Sequence, residues 1–223
     1  MEYDIFYINL KERTDRKEEI EKEFEKLENK KYKFNIKKID AIKKGNGALG
    51  AAESHIKALN LAKTLNLEKV IVAEDDLIIK EELVDKYFDI INDITFNWDV
   101  IILSGWFYSF LNETKTSIDN NLVKCSATQS CTWYLIKKDY YDSLIDCFTE
   151  SKRNLKNKTL KKKKRSKNKT RKKRKKTLWT IDQNWKKLQK KDNWYRFNVN
   201  LGYQRASYSD IENKFVDYTN ILY

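Results

Sequence analysis

The chain has 223 residues, of which 35% are charged, 40% hydrophobic and 13% aromatic. This length suits one domain with a sizeable core, and the aromatic content excludes a wholly disordered chain. No stretch approaches the roughly 20 apolar residues of a membrane-spanning helix, and residues 1–4 lack the basic start of a signal peptide. The sequence therefore predicts one soluble, cytoplasmic domain spanning residues 1–223.

The net charge of +13 is concentrated in a single segment. Residues 152–176 contain 17 Lys and Arg and no acid, and subtracting these 17 charges from +13 leaves −4 for the remainder. Like charges at this density predict a disordered, solvated insertion whose field attracts polyanions, including anionic glycans, acidic acceptors and nucleic acid. The alternative is a tolerated surface insertion without a role.

The first elements form a strand, a turn and a helix. The apolar run at residues 5–8 predicts a strand, and residues 11–29 have the spacing of an amphipathic helix with Thr14 or Asp15 as its N-cap. Residues 32–42 alternate as a second strand. This order indicates a βα unit at the start of an α/β fold.

Two arginines, Arg13 and Arg16, stand in the first turn, between the end of a strand and the start of a helix. Guanidinium groups and backbone N–H donors at such a place are suited to holding a diphosphate. The other interpretation is a pair of surface arginines on a charged helix.

A glycine-containing loop at residues 45–50 opens a helix over residues 51–65. The loop lacks the lysine of a P-loop. His55, the only histidine, lies on the apolar stripe of this helix beside Ser54. It is either a hydrogen-bonded core residue or a ligand.

The next strand ends in three consecutive carboxylates. Residues 70–73 form a β-branched run typical of a strand buried on both faces, and Glu74, Asp75 and Asp76 follow it. In open α/β sheets, ligands bind beyond the carboxyl ends of the strands. Because adjacent carboxylates repel one another, this cluster indicates a divalent cation such as Mg²⁺ or Mn²⁺. The alternative is a solvated turn that caps the following helix.

The second half of the chain is richer in strands. Helices are predicted at 81–92 and 138–148, and strands at 98–103, 122–127, 131–136 and 194–199. Asp182 stands at or near the N-cap of a further helix, and it is a carboxylate far in sequence from the acidic cluster. It is therefore either a structural cap or the general base that the cluster lacks.

Five segments together resemble glycosyltransferase family 25, which includes bacterial lipooligosaccharide galactosyltransferases and procollagen galactosyltransferases. They are YINLKERTDR (7–16), GALGAAESHI (47–56), VIVAEDDL (70–77), WTIDQNW (179–185) and QRASYSDIE (204–212). Their order and spacing, rather than any single motif, carry the resemblance. The resemblance covers nearly the whole chain except residues 152–176, which we call the basic run.

The resemblance implies a GT-A-like single domain with a mostly parallel, partly mixed central sheet flanked by helices. It also implies inverting transfer of a hexose from a UDP-sugar, with galactose favoured and glucose possible. The acceptor would be a hydroxyl group of a glycan or of a hydroxylysine-bearing, collagen-like protein. Two other classes remain open, namely a polyanion-binding or nucleic-acid-binding protein and a catalytically silent scaffold.

The resemblance also suggests roles for individual residues. Asp76 would be the main ligand of Mn²⁺ or Mg²⁺, with Glu74 and His55 as further candidates, and Asp182 would be the catalytic base. A competing assignment places Asp182 in the metal shell. The residues expected to bind the donor are Asn9, Arg13, Arg16, Ser54, Glu74 and Asp75.

Overall fold

The computed structural model describes residues 1–106, 121–164, 179–209 and 214–217, except for the side chains of 158–164. The strands are β1 (Glu2–Asn9), β2 (Lys33–Asp40), β3 (Lys69–Glu74), β4 (Leu77–Ile79), β5 (Val100–Trp106), β6 (Leu122–Lys124), β7 (Gln129–Lys137), β8 (Trp194–Phe197), β9 (Gly202–Gln204), β10 (Ser207–Ser209) and β11 (Lys214–Val216). The helices are α1 (Thr14–Glu25), α2 (Gly47–Thr64), α3 (Glu81–Asp93), α4 (Tyr141–Lys164), α5 (Ile181–Asn184) and α6 (Lys186–Gln189). Within these described ranges, no helix is long and apolar enough to cross a membrane.

A mixed sheet of seven strands forms the centre of the described part of the chain, in the order β2-β1-β3-β7-β5-β8-β6. Strand β1 runs parallel to β2 and β3, and β5 runs parallel to β8. Strands β7 and β6 run antiparallel to their neighbours. Five of the seven strands therefore point the same way, which confirms the α/β class with a mostly parallel, partly mixed sheet.

Both faces of the sheet are buried, and side-chain alternation assigns residues to them. One core contains Tyr3 and Ile5 of β1 together with apolar residues of α1 and α3. The other contains Val70 and Val72 of β3 with apolar residues of α2 and α4. Glu74 has the same parity as Val70 and Val72, so its side chain lies on the α2 side.

Three strand ends and one strand start share an edge of the sheet. The carboxyl ends of the parallel strands β1 and β3 lie together, with Ile8 opposite Glu74. Strand β7 runs the other way, so it begins at this edge, where its Gln129 pairs with Trp106 at the end of β5. The acidic turn after β3 therefore lies beside residues from three other strands.

The helix and strand positions predicted from the pattern are found, but two local predictions were wrong. The N-cap of α1 is Arg13 rather than Thr14 or Asp15, because Asp15 pairs with the Arg13 guanidinium at 2.8 Å. No strand was predicted after residue 199, yet the tail forms β9, β10 and β11. Residues 210–212 of the tail motif lie outside the described residues.

The start of the basic run is helical, which corrects the prediction of a disordered insertion over its first half. Helix α4 continues to Lys164. Its apolar stripe extends through buried Ser151 and Leu155. In addition, Lys152 and Lys156 each lie 3.7 Å from Glu53 of α2. Residues 165–176 lie outside the described part of the chain.

A close backbone contact at Gly202 gives a stability prediction. A methyl group at Gly202 would lie 2.4 Å from the carbonyl oxygen of Ile78, which belongs to the paired strand β4. We expect Gly202→Ala to lower the free energy of unfolding by about 1–3 kcal/mol, because the backbone must shift. Gly45→Ala is the control, since a methyl group there meets nothing within 4 Å. Equal urea midpoints for the two variants would contradict the predicted clash.

Candidate active site

The acidic turn after β3 is held by residues from the first βα unit. Arg16 Nη1 donates a hydrogen bond to Asp75 Oδ1 at 2.7 Å, and Asn9 Nδ2 donates to Asp75 Oδ2 at 2.9 Å. Burial raises the pKa of Asp75 more than these two partners lower it. Burial would lower the pKa of Arg16, but the charges of Asp76 and Asp75 outweigh it and raise that pKa. The pair is therefore a buried anchor of the turn.

The C-terminal tail packs on the same turn. Arg16 Nη2 donates to Ser207 Oγ at 2.6 Å and to the carbonyl oxygen of Tyr208 at 2.8 Å. The backbone N–H of Arg205 donates to the carbonyl oxygen of Asp76 at 2.6 Å. Arg16 thus connects the start of the chain, the acidic turn and the tail.

The two carboxylate oxygens of Asp76 differ in their contacts. Its Oδ2 lies 3.5 Å from Arg16 Nη1, and Gln204 also hydrogen-bonds to the carboxylate. Its Oδ1 is buried and has no hydrogen-bond partner among the residues that the structure describes. Burial, followed by the charge of Glu74, raises the pKa of Asp76 to about 7. An ionised Asp76 therefore needs a further positive charge.

Glu74 is held from the α2 side by the only histidine of the chain. Its Oε1 lies 3.3 Å from His55 Nε2, and His55 Nδ1 lies 3.0 Å from the hydroxyl of Tyr134. The His55 side chain is 1% exposed. Both ring nitrogens have protein partners, as the hydrogen-bonded core interpretation expects, and His55 as a metal ligand stays a prediction.

Asp182 lies in the first turn of α5, whose N-cap is Thr180. Burial raises the pKa of Asp182, while hydrogen bonds from the Thr180 side chain and the Ser130 backbone oppose this, and the charge of Glu74 raises it further. Ile181 and Trp185, on either side of this turn, belong to the core on the α2 side, so α5 packs on the same face of the sheet as the Glu74 side chain. Asp182 is therefore not the N-cap of α5, because Thr180 holds that position and Asp182 is the second residue of the helix.

Two of the residues expected to bind the donor have other contacts. The hydroxyl of Ser54 donates to the carbonyl oxygen of Gly50 at 2.7 Å and accepts from the N–H of Ile42 at 2.8 Å, so it closes the loop before α2. Binding of the donor by Ser54 stays a prediction. Arg13 pairs with Asp15 and reaches the carbonyl oxygen of Tyr208 at 3.5 Å.

Three residues of this region were not singled out from the sequence. Tyr134 lies in the apolar run 133–136 of β7, and only its parity on that strand could have placed it opposite α2. Ser130 has φ of 71°, a left-handed backbone conformation that is uncommon for a residue with a side chain. Ser207 belongs to the tail motif, but nothing in that motif shows that it meets Arg16.

The residues present fit a small metal site rather than a large one. In the described ranges, no group of three or more His, Cys, Asp or Glu side chains is arranged to hold a metal ion. Mg²⁺ commonly uses one or two carboxylates, with water and substrate phosphates completing its shell. The Oδ1 of Asp76, which is buried without a partner in the described ranges, is the type of oxygen atom that such an ion binds.

Comparisons with known proteins find likeness only among solved structures. No family model and no curated protein matches the chain. A glycosyltransferase involved in the glycosylation of the major capsid of PBCV-1 matches with TM-score 0.40 and 12% identity, over 66% of this chain and 65% of its own. Glycosyltransferase GlyE of Streptococcus pneumoniae TIGR4 matches with TM-score 0.41 and 10% identity, over 89% of this chain and 45% of its own.

Both similar structures are glycosyltransferases. The chain spans less than two thirds of the length of either. Likeness at these TM-scores carries no argument about activity, donor or acceptor.

Proposed function

We propose that the protein is a metal-dependent glycosyltransferase that moves a hexose from a UDP-sugar to a hydroxyl group. The observation that carries this proposal is the meeting of distant segments at one acidic turn. Asn9, Arg16 and Ser207 surround the turn, although Arg16 and Ser207 are 191 positions apart. Four of the five segments that carry the sequence resemblance meet here, because His55 adds a contact to Glu74.

The contacts support different roles within the cluster. Asp76 and Glu74 would hold Mn²⁺ or Mg²⁺, and a bound metal would supply a Lewis acid that stabilises the departing diphosphate. Asn9, Arg16 and Asp75 would fix the turn rather than touch the donor. Arg13 remains the arginine proposed to contact the nucleotide.

Asp182 is proposed as the base that accepts the proton of the acceptor hydroxyl. Inversion by a single displacement needs one base on the acceptor side. Asp182 is a carboxylate from a separate element, and this proposal is supported by the packing of α5 on the face of the sheet that carries Glu74. If Asp182 instead belongs to the metal shell, replacing it will weaken metal binding.

The sequence resemblance favours galactose as the transferred sugar, with glucose as the second choice. The acceptor would be a glycan or a hydroxylysine-bearing, collagen-like protein. We expect UDP release from UDP-galactose or UDP-glucose above that from UDP-N-acetylglucosamine. NMR of the product should show the β-anomer formed from the α-linked donor. An α-linked product would contradict the inverting mechanism.

The basic run is proposed to contact polyanionic acceptors. Nine Lys and Arg lie in residues 165–176. Replacing this segment with a Gly/Ser linker of equal length should weaken heparin binding on the order of tenfold at low salt, and lessen its salt dependence. UDP-sugar hydrolysis and the melting temperature should stay unchanged. Unaltered heparin binding would show that the run has no such role.

A polyanion-binding protein without transferase activity is the second candidate. Only the charge of the basic run favours this second candidate. Subtracting the 17 basic residues of 152–176 from +13 leaves a net charge of −4 for the rest of the chain. It would bind heparin but release no UDP from any UDP-sugar.

A further inference from the structure

The side chains of Tyr134 and His55 form a buried hydrogen-bonded chain that ends on Glu74. Tyr134 comes from the central strand β7 and is fully buried, and His55 comes from α2. The distances are 3.0 Å from the Tyr134 hydroxyl to His55 Nδ1 and 3.3 Å from His55 Nε2 to Glu74 Oε1. Glu74 itself is partly open, with 25% of its side chain exposed.

The groups at the two ends of this chain, Tyr134 and Glu74, determine which nitrogen of a neutral His55 ring carries the hydrogen. A carboxylate only accepts, so Nε2 must carry the hydrogen that is donated to Glu74. Nδ1 is then the acceptor, and the Tyr134 hydroxyl donates to it. Glu74 and Tyr134 therefore fix the tautomer of His55 together, and His55 in turn fixes the orientation of Glu74.

Tyr134 also contacts the segment that carries Asp182. Its ring lies edge-on to Trp185, with the centroids 5.7 Å apart and the planes at 87°. Trp185 directly follows α5 and is anchored by a hydrogen bond from its Nε1 to the carbonyl oxygen of Thr128 at 3.0 Å. Tyr134 thus contacts both His55, which hydrogen-bonds to Glu74, and Trp185, which lies three residues after Asp182.

We infer that Tyr134 and His55 are positioning residues that hold Glu74 in the orientation needed to bind a metal–diphosphate group. The inference rests on the proposed function, because it assumes that Glu74 faces the donor. It goes beyond that function in assigning a task to a tyrosine and a histidine that touch neither donor nor acceptor.

The single histidine makes the tautomer directly measurable. In protein labelled with ¹⁵N-histidine, the imidazole gives one pair of nitrogen signals. At pH 8 we expect the wild type to show the Nε2–H tautomer and Tyr134→Phe to show a mixture, because the donor to Nδ1 is gone. An Nδ1–H tautomer in the wild type would overturn the inference without any reference to activity.

Binding of UDP with Mn²⁺, measured by calorimetry, supplies the second readout. Tyr134→Phe should weaken this binding roughly tenfold, as loss of a supporting hydrogen bond does around other metal sites. Tyr141→Phe is the matched control, since Tyr141 is also buried in this core and its hydroxyl donates to the carbonyl oxygen of Leu67 at 3.1 Å. Equal binding by the two variants would refute the positioning role.

Replacing the histidine gives an independent comparison. His55→Gln keeps an N–H donor that reaches towards Glu74 and should retain most of the binding, whereas His55→Leu should lose it to the same extent as Tyr134→Phe or more. Equal binding by His55→Gln and His55→Leu would also refute the role. Absence of any UDP binding by the wild type would remove the proposed function, and the inference would fail with it.

Discussion

Asp76→Asn is expected to lose most of the Mn²⁺-dependent UDP-sugar turnover while the protein remains folded. The asparagine has the same shape, so packing around the turn is preserved. It removes the negative charge of a carboxylate whose Oδ1 has no hydrogen-bond partner within the described part of the chain. A loss of about 10²-fold or more in kcat is the scale expected when a metal can no longer stabilise the leaving group.

The stability of the metal-free variant separates loss of chemistry from loss of fold. The pKa of Asp76 is raised to about 7 by burial and by Glu74, whereas an unfolded Asp titrates near 3.8. The folded state then holds the proton more tightly, so wild-type stability falls as the pH rises from about 4 to 7. Asp76→Asn lacks this titration, and its melting temperature in EDTA should equal or exceed that of the wild type at pH 8.

Asp40→Asn is the matched control for this experiment. Asp40 ends β2, another parallel strand of the sheet, but its side chain is exposed and its partner is Lys38. Wild-type turnover is expected for Asp40→Asn. Wild-type turnover for Asp76→Asn would remove Asp76 from the metal site.

Asp182→Asn is expected to retain UDP and Mn²⁺ binding but to lose sugar transfer by roughly 10²-fold or more. The amide cannot accept the proton of the acceptor hydroxyl. The position should tolerate a neutral group, because burial already raises the pKa of Asp182. Transfer to acceptor and equilibrium binding of UDP with Mn²⁺ are the two measurements.

Asp142→Asn is the control, since Asp142 also lies in the first turn of a helix but is exposed and paired with Lys63. It should transfer at the wild-type rate. Weakened Mn²⁺ affinity in Asp182→Asn would instead move Asp182 into the metal shell. Normal transfer by that variant would exclude it as the base.

Local patterns predicted the fold better than they predicted the site. The apolar run before Glu74 and the stripe around His55 are signals within a few residues, so the strands and helices could be placed from them. The hydrogen bond from Arg16 to Ser207 joins opposite ends of the chain, so no pattern within a few residues could predict it. The family resemblance includes both segments, 7–16 and 204–212, but it does not show that they are in contact.

The basic run shows why charge alone misleads. Counting 17 basic residues predicted a solvated loop, but Ser151 and Leu155 continue the apolar stripe of α4 into its first part. Glu53 offers Lys152 and Lys156 a nearby opposite charge. Packing of one face of α4 therefore decides the backbone at the start of the run.

His55 was also ambiguous in the sequence for a physical reason. A histidine on an apolar stripe looks the same whether its nitrogens bind a metal or protein groups. Only the parity of Glu74 on β3 and Tyr134 on β7 brings two polar partners to it. That information comes from strand pairing, which a single segment does not contain.

Release of UDP from UDP-galactose and UDP-glucose by the wild-type protein, with Mn²⁺ and with EDTA, tests the proposed function most directly. We predict release that requires Mn²⁺ or Mg²⁺, stops in EDTA, returns when metal is restored, and is lost in Asp76→Asn. Equal release in EDTA would contradict the metal site. No release from either donor under any metal condition, by protein with a cooperative melting transition, would contradict the glycosyltransferase function itself.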